Sequence, residues 1–368
     1  MTTDLNLCQW SRRSALAGVI VWEVMVVLAG SGFAPLGVIE LLFLFAPLVI
    51  VPLGLDLADR LVSGSLPSLE HAARILQPLA ALGVVAAFCI RQGPLSAALA
   101  AAWLALCLAI ATSGAWSLLE RNHRTIASLA VHLGRIDLAI GAVWLLISRS
   151  GLHLSGTQEP VVLLTAVHFH YTGFATALLG SSAIQGRHAT PRWLHALVLD
   201  VVLAPYFIAA GFVFSPLLKM LSVGLLSAGV IGIAQAQLRE RAEERSVAVF
   251  LKTSSLAIFG GIALAVVYSA GEFLHRDWLT IPRMASIHGV LNALGFVLLG
   301  ILGRLIETHP KLNEVIHEGR NYRRYGVRRT ESGKEALAAR ARGHADIPRR
   351  ASVRIGLPIF VAREFYDQ

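Results

Sequence analysis

Two histidines stand in the stretch His168-Phe169-His170-Tyr171-Thr172-Gly173-Phe174, inside an apolar run from about Pro160 to Ile184. An imidazole can move a proton, hydrogen-bond at two positions or ligate a metal. Ionisable side chains at bilayer depth are costly, so they face protein or a watery cavity and are functional candidates. At about 100° per residue the two rings point roughly 200° apart on an α-helix, which prevents them from holding one metal together. The face of His170 carries Ala166, Gly173, Ala177 and Gly180, a small-residue stripe that lets another helix approach closely. The face of His168 carries Thr165, Thr172 and Ala175, again with no bulky side chain suited to lipid.

The elements that must hold these rings follow from composition. The chain has 368 residues, 55% of them hydrophobic and 15% charged, and a mean hydropathy of +0.63. Soluble domains run near 25% charged, so this is a polytopic membrane protein. Apolar runs predict ten spans, at about 14–30, 36–54, 75–92, 95–119, 129–149, 160–184, 194–214, 217–237, 247–271 and 281–303. The fold class expected is all-α, a polytopic transmembrane helical bundle. Tight turns are predicted at Gly93-Pro94 and Ser215-Pro216. Arg12-Arg13 before an apolar run imitates a secretory signal, but Glu23 interrupts that run, which reads as an uncleaved first helix.

Alternate loops differ in basic charge. One set carries eleven Arg and the other five Lys or Arg, so both the N and C termini are expected to be cytoplasmic. Two domains follow: a ten-helix membrane domain over 1–304 and a basic cytoplasmic tail, partly disordered, over 305–368. From Arg304 onward the chain holds fourteen Lys or Arg against eight Asp or Glu, six of the nine net positive charges. Arg320, Arg323, Arg324, Arg328 and Arg329 are expected to be drawn to anionic lipid head groups. No nucleic-acid motif accompanies them, and the sequence sets no oligomeric state. Cys8, Cys89 and Cys107 form neither a disulfide framework nor a zinc knuckle.

With this topology, His168, His170 and Tyr171 share the outer half of the membrane with His288 and Asn292 of the tenth span. Glu40 opens the second span and Glu272 closes the ninth on the same side. His288, Asn292, Gly295, Leu299 and Gly303 make a second stripe at helical spacing. His170 and His288 are expected at depths differing by roughly 5 Å, near enough to share a water, a metal ion or a haem iron. Lys219 and Lys252 lie near helix ends and can snorkel. Arg135 and Asp137 either pair inside the bundle, with Asp200, or mark the start of the fifth span, and the second reading is favoured. Glu23, near the middle of the first span, has no snorkelling route and calls for an internal partner or a proton.

Three motifs carry a family resemblance. They are Glu40-Leu41-Leu42-Phe43-Leu44-Phe45 with Val51-Pro52-Leu53, the His168 to Phe174 stretch, and His288-Gly289-Val290-Leu291-Asn292-Ala293-Leu294-Gly295-Phe296. Together they resemble the YndJ-like bacterial membrane proteins over most of 30–304. The resemblance implies a multi-pass protein of the bacterial plasma (inner) membrane and carries no assigned reaction. His168-Phe169-His170-Tyr171 alone is similar to a stretch of the haem-copper oxidases, in which two histidines of one helix bind the irons of two haems. Here the motif order along the chain is reversed and the copper-ligand motifs are absent. A single low-spin haem between His170 or His168 and His288 is what that likeness implies. The first functional expectation is a transport or sensing protein whose outer-half site handles a proton, a metal ion or a small solute. The alternatives are a haem-binding membrane redox protein and an intramembrane metal-dependent hydrolase. A nucleophile elbow, a His-Glu-x-x-His and a phosphate-binding Gly loop are all missing from the sequence, which argues against soluble-type hydrolysis.

Overall fold

The computed structural model describes residues 2–62, 66–120, 125–152, 158–185, 190–240, 242 and 244–307, with side chains from residue 7 onward. Among the described residues ten helices are long and apolar enough to cross a membrane, and no strand occurs. They are α1 (Leu7–Gly30), α2 (Val38–Leu61), α3 (Pro67–Cys89), α4 (Pro94–Leu119) and α5 (Ile126–Ser150), then α6 (Val161–Gln185), α7 (Arg192–Phe214), α8 (Pro216–Leu238), α9 (Arg245–Phe273) and α10 (Ile281–Glu307). The protein is therefore a polytopic helical membrane bundle, as the apolar runs predict. Arg320, Arg323, Arg324, Arg328 and Arg329 lie outside the described residues.

Local chemistry sets the helix ends. Gly93 adopts φ +151° and hands over to Pro94 at the start of α4. Ser215 Oγ accepts from the Leu218 amide at 3.4 Å ahead of Pro216, so both predicted tight turns are present. At α5, Thr125 Oγ1 accepts from the Ser128 amide at 3.1 Å and Gly151 closes the helix at φ +73°.

Three helices run further than their apolar cores. α2 continues to Leu61, α3 begins at Pro67 and α10 reaches Glu307. Their extra turns carry charges that are paired inside the bundle, on the face where α1 begins. Arg12 and Arg60 meet the fully buried Asp56 at 2.9 and 3.2 Å. Arg74 meets Asp59 at 2.5 Å and donates to the Leu55 carbonyl at 2.7 Å. Arg135, 1% exposed, meets Glu70 at 2.9 Å and Asp59 at 3.5 Å, while Ser113 also donates to Glu70. Arg60 adds a bond to the Leu305 carbonyl at 3.1 Å. One ionic layer thus joins α1, α2, α3, α4, α5 and α10. Nearby, Arg304 holds Glu240 through two bonds of 2.6 and 2.7 Å.

Arg135 corrects the sequence reading. α5 starts at Ile126, so Arg135 lies inside the helix and not at its mouth, and it pairs with α2 and α3 rather than with Asp137 or Asp200. Asp137 instead accepts from the Tyr206 hydroxyl of α7. Basic residues of a short loop and of a buried ion pair carry the same letter, and only packing tells them apart.

The three motif-bearing helices share one departure from α geometry. π-helical turns occupy Ala46–Ile50 in α2, Phe169–Thr176 in α6, and Ala285–Gly289 and Leu291–Leu298 in α10. In such turns a carbonyl bonds the amide five residues on. The Leu42 carbonyl, ahead of the turn, is left open because the Ala46 amide bonds Phe43 and the next residue is Pro47; for the Pro47 carbonyl the residue five on is Pro52, and proline has no amide hydrogen. Side chains fill both vacancies. Tyr171 Oη donates to the Leu42 carbonyl at 2.8 Å, and Gln77 Nε2 donates to the Pro47 carbonyl at 2.6 Å. Tyr171 thereby ties α6 to α2.

Candidate functional site

The widened turns of α6 set where each histidine points. His170 is fully buried and turned toward α4 and α5. Trp103 Nε1 donates to His170 Nε2 at 3.1 Å, so the ring proton sits on Nδ1 and is donated to the Ala166 carbonyl at 2.8 Å. Phe43 meets the ring edge-on at a centroid distance of 5.1 Å. Gly141 of α5 leaves no room for a side chain, since a Cβ there would lie 2.6 Å from His170 Nδ1. The stripe of His170 packs on α5 through Gly173 and Ala177, where Gly134 sits against the backbone of Gly173 and Phe174, while Gly180 faces Val198 of α7 and Ile233 of α8.

His168, on the opposite face, lines a cavity of about 170 Å³ walled by α2, α6, α7, α8, α9 and α10. Thr165 and Thr172 of its face line the same space. The cavity runs from Val161, at the first turn of α6, to Thr176, a depth of roughly 20 Å at 1.5 Å per residue. His168 Nδ1 bonds the Leu164 carbonyl at 2.7 Å, and Nε2 makes no hydrogen bond among the described residues. In the neutral ring that nitrogen is an acceptor lone pair presented to the cavity.

α10 supplies the facing wall. His288 Nδ1 donates to the Gly261 carbonyl of α9 at 2.8 Å, so its Nε2 accepts from Asn292 Nδ2 at 2.9 Å. This hydrogen-bonded pair lines the cavity together with Tyr171 and His168. The stripe on α10 packs on α9, where Gly261 accommodates the Asn292 amide and Gly295 faces Ala257. Spans six and ten do share a wall, but the histidine that α6 contributes to it is His168. Coligation of one ion or haem iron by His170 and His288 finds no geometric support, because the Trp103 indole takes up His170 Nε2 from the other side of the helix.

The acidic candidates lie at the margins. Glu40 Oε2 accepts from the Gly37 amide at 3.0 Å and caps α2 rather than facing the cavity. Glu272 is paired with Lys219, a buried side chain that lines the cavity and places its Nζ 4.4 Å from the Phe212 ring centroid. Snorkelling, the expectation for Lys219, is replaced by this inward pair, since the carboxylate and the ring together compensate its burial. Lys252 is exposed on α9. Glu23, expected as a buried charge with an internal partner or a proton, is instead exposed on the outer face of α1 and makes no hydrogen bond or ion pair among the described residues. Ser269 stands outside every motif, yet its hydroxyl is buried in the cavity wall without a hydrogen-bond partner. Among the described residues no group of three His, Cys, Asp or Glu side chains gathers as a metal site would need.

Comparisons with known proteins follow the same helices. The family described as YndJ-like protein matches residues 41–296. An uncharacterized membrane protein YndJ from Bacillus subtilis (strain 168) is 30% identical over 192 residues, a match covering 51% of this chain and 34% of that relative. The chain thus matches about a third of the relative's length. No solved structure matches it. The matched region contains the π turns of α2 and α6, nearly all those of α10, and every cavity-lining histidine, and by that match the chain belongs to the YndJ-like family.

Proposed function

We propose that this protein binds a small, mostly apolar solute in the cavity between α6 and α10, as a transporter or sensor of the bacterial plasma membrane. The observation that carries the reading is a cavity of about 170 Å³ whose wall is largely aliphatic and aromatic, with an unpaired histidine nitrogen set in it. Ligand sites have this character, an apolar lining with a few placed polar groups. With both termini cytoplasmic, as the basic loops argue, the cavity begins at the outer end of α6 and reaches past the middle of the membrane. The same lining favours a small organic solute over a metal ion, because Asn292 and the Gly261 carbonyl occupy the His288 ring and leave His168 alone.

Filling the cavity tests this reading. Ala265 of α9 is half-buried and lines it, so Ala265→Phe is expected to occupy the space without displacing a packed side chain. Thermal unfolding in detergent should show wild type raised by a small aromatic solute at millimolar concentration and Ala265→Phe unmoved, because ligand stabilisation scales with occupancy. Equal responses of the two proteins would remove the cavity as the site.

A further inference from the structure

The polar groups on the cavity wall differ in what they can still offer a ligand. Both ring nitrogens of His288 are engaged, by Gly261 and Asn292. The Tyr171 hydroxyl is held by the Leu42 carbonyl, and Thr165, Thr176 and Ser227 donate theirs to backbone carbonyls of their own helices. Lys219, the one Lys, Arg, Asp or Glu among the described lining residues, is neutralised by Glu272 and covered by Phe212. The groups that remain, the Tyr268 phenol included, are neutral. Asn292 Oδ1 lies against Gly261 of α9. Ser269 Oγ, in a residue 4% exposed, has no partner among the described residues, and its hydroxyl, like that of Thr172 elsewhere in the lining, can serve either as donor or as acceptor. His168 Nε2 alone is a fixed acceptor facing the cavity, with its tautomer held by the Nδ1 bond to Leu164.

We infer that the cavity selects a neutral, mostly apolar molecule bearing a hydroxyl, whose proton is donated to His168 Nε2. The inference rests on the cavity being the binding site and adds the class of ligand. An anionic head would set its lone pairs against that of Nε2, and the lining holds no uncompensated cation to attract it. A cationic head would leave water for a wall with no free carboxylate. A hydroxyl meets the lone pair and carries no charge into a largely apolar space, where an unpaired ion is most costly. The volume suits a molecule near the size of benzene, which fills an engineered cavity of about 150 Å³ in another protein.

The test uses four molecules of one size on the full chain in lipid nanodiscs: benzyl alcohol, toluene, benzoate and benzylamine at neutral pH, with affinity read by calorimetry or by thermal shift. Benzyl alcohol should bind roughly tenfold more tightly than toluene, the factor that about 1.4 kcal/mol supplies. Benzoate and benzylammonium should bind more weakly than benzyl alcohol. His168→Leu should bring benzyl alcohol down to the toluene level and leave toluene itself unchanged. His168→Gln retains a carbonyl acceptor and should restore part of the preference, which guards against a loss caused by misfolding alone. If toluene and benzyl alcohol bind equally, or benzoate binds best, the inference is overturned while the cavity reading stands. If none of the four binds to wild type more than to Ala265→Phe, the cavity reading itself fails.

Discussion

Arg135→Met is expected to cost about 3–5 kcal/mol of stability, the range for removing one partner of a buried ion pair. Arg135 is 1% exposed and bridges Glu70 of α3 and Asp59 of α2 from α5. Without it Glu70 keeps only the Ser113 hydroxyl among these contacts, and a carboxylate in a packed helix interface is left without a cation. The loss should reverse when the Glu70 carboxylate goes too. Arg135→Met with Glu70→Gln is expected to regain most of the deficit, since Asp59 keeps Arg74 as its cation and replacing a buried pair wholesale is often close to neutral. Reversible unfolding in mixed micelles measures both. A single-variant cost under about 1 kcal/mol would mean that the layer is not a stabilising lock.

Gly18→Leu should be the second large effect, about 3 kcal/mol at the upper end of overpacking penalties. A Cβ at Gly18 would overlap the Leu48 carbonyl oxygen, a backbone atom in the π turn of α2 that no rotamer change can move aside. The substitution therefore has to part α1 from α2. Gly224→Ala serves as the control, because nothing lies within 4 Å of a Cβ there, and alanine is the better helix former by up to about 1 kcal/mol. Thermal unfolding should lower the first variant and leave the second unchanged or raised. The opposite order would remove the close α1–α2 approach from the account.

These two sites separate what is legible in the sequence from what is not. Span positions are legible, because a charge-poor apolar run of about twenty residues matches the thickness of the hydrocarbon core and is longer than a buried soluble helix usually needs. The small-residue stripes beside His170 and His288 are legible as close-packing faces, but their partners, α5 and α9, are not. Helical-wheel arithmetic puts His168 and His170 on opposite faces, and the π turns keep them so. Which face opens on a cavity depends on Trp103, more than sixty residues away, and no local spacing encodes that contact. Depth alone makes Glu40 and Glu272 site candidates. Their actual uses, capping α2 and holding Lys219, are those of ordinary helix ends and ion pairs. Arg135 and Lys219 mislead for one shared reason: a basic residue near a helix end is more often at the interface, and a buried carboxylate partner on another helix cannot be seen from its own helix.

His168, and not His170, is expected to meet whatever the cavity binds. Nitrogen-15 NMR of histidine-labelled protein in nanodiscs tests it most directly. The chain holds thirteen histidines, so His168 is assigned by the resonance that disappears in His168→Leu. Titration with benzyl alcohol is predicted to move the His168 Nε2 resonance and to leave the His170 pair at the positions of a ring hydrogen-bonded at both nitrogens. A shift confined to His170, with His168 unmoved at saturation, would contradict the account.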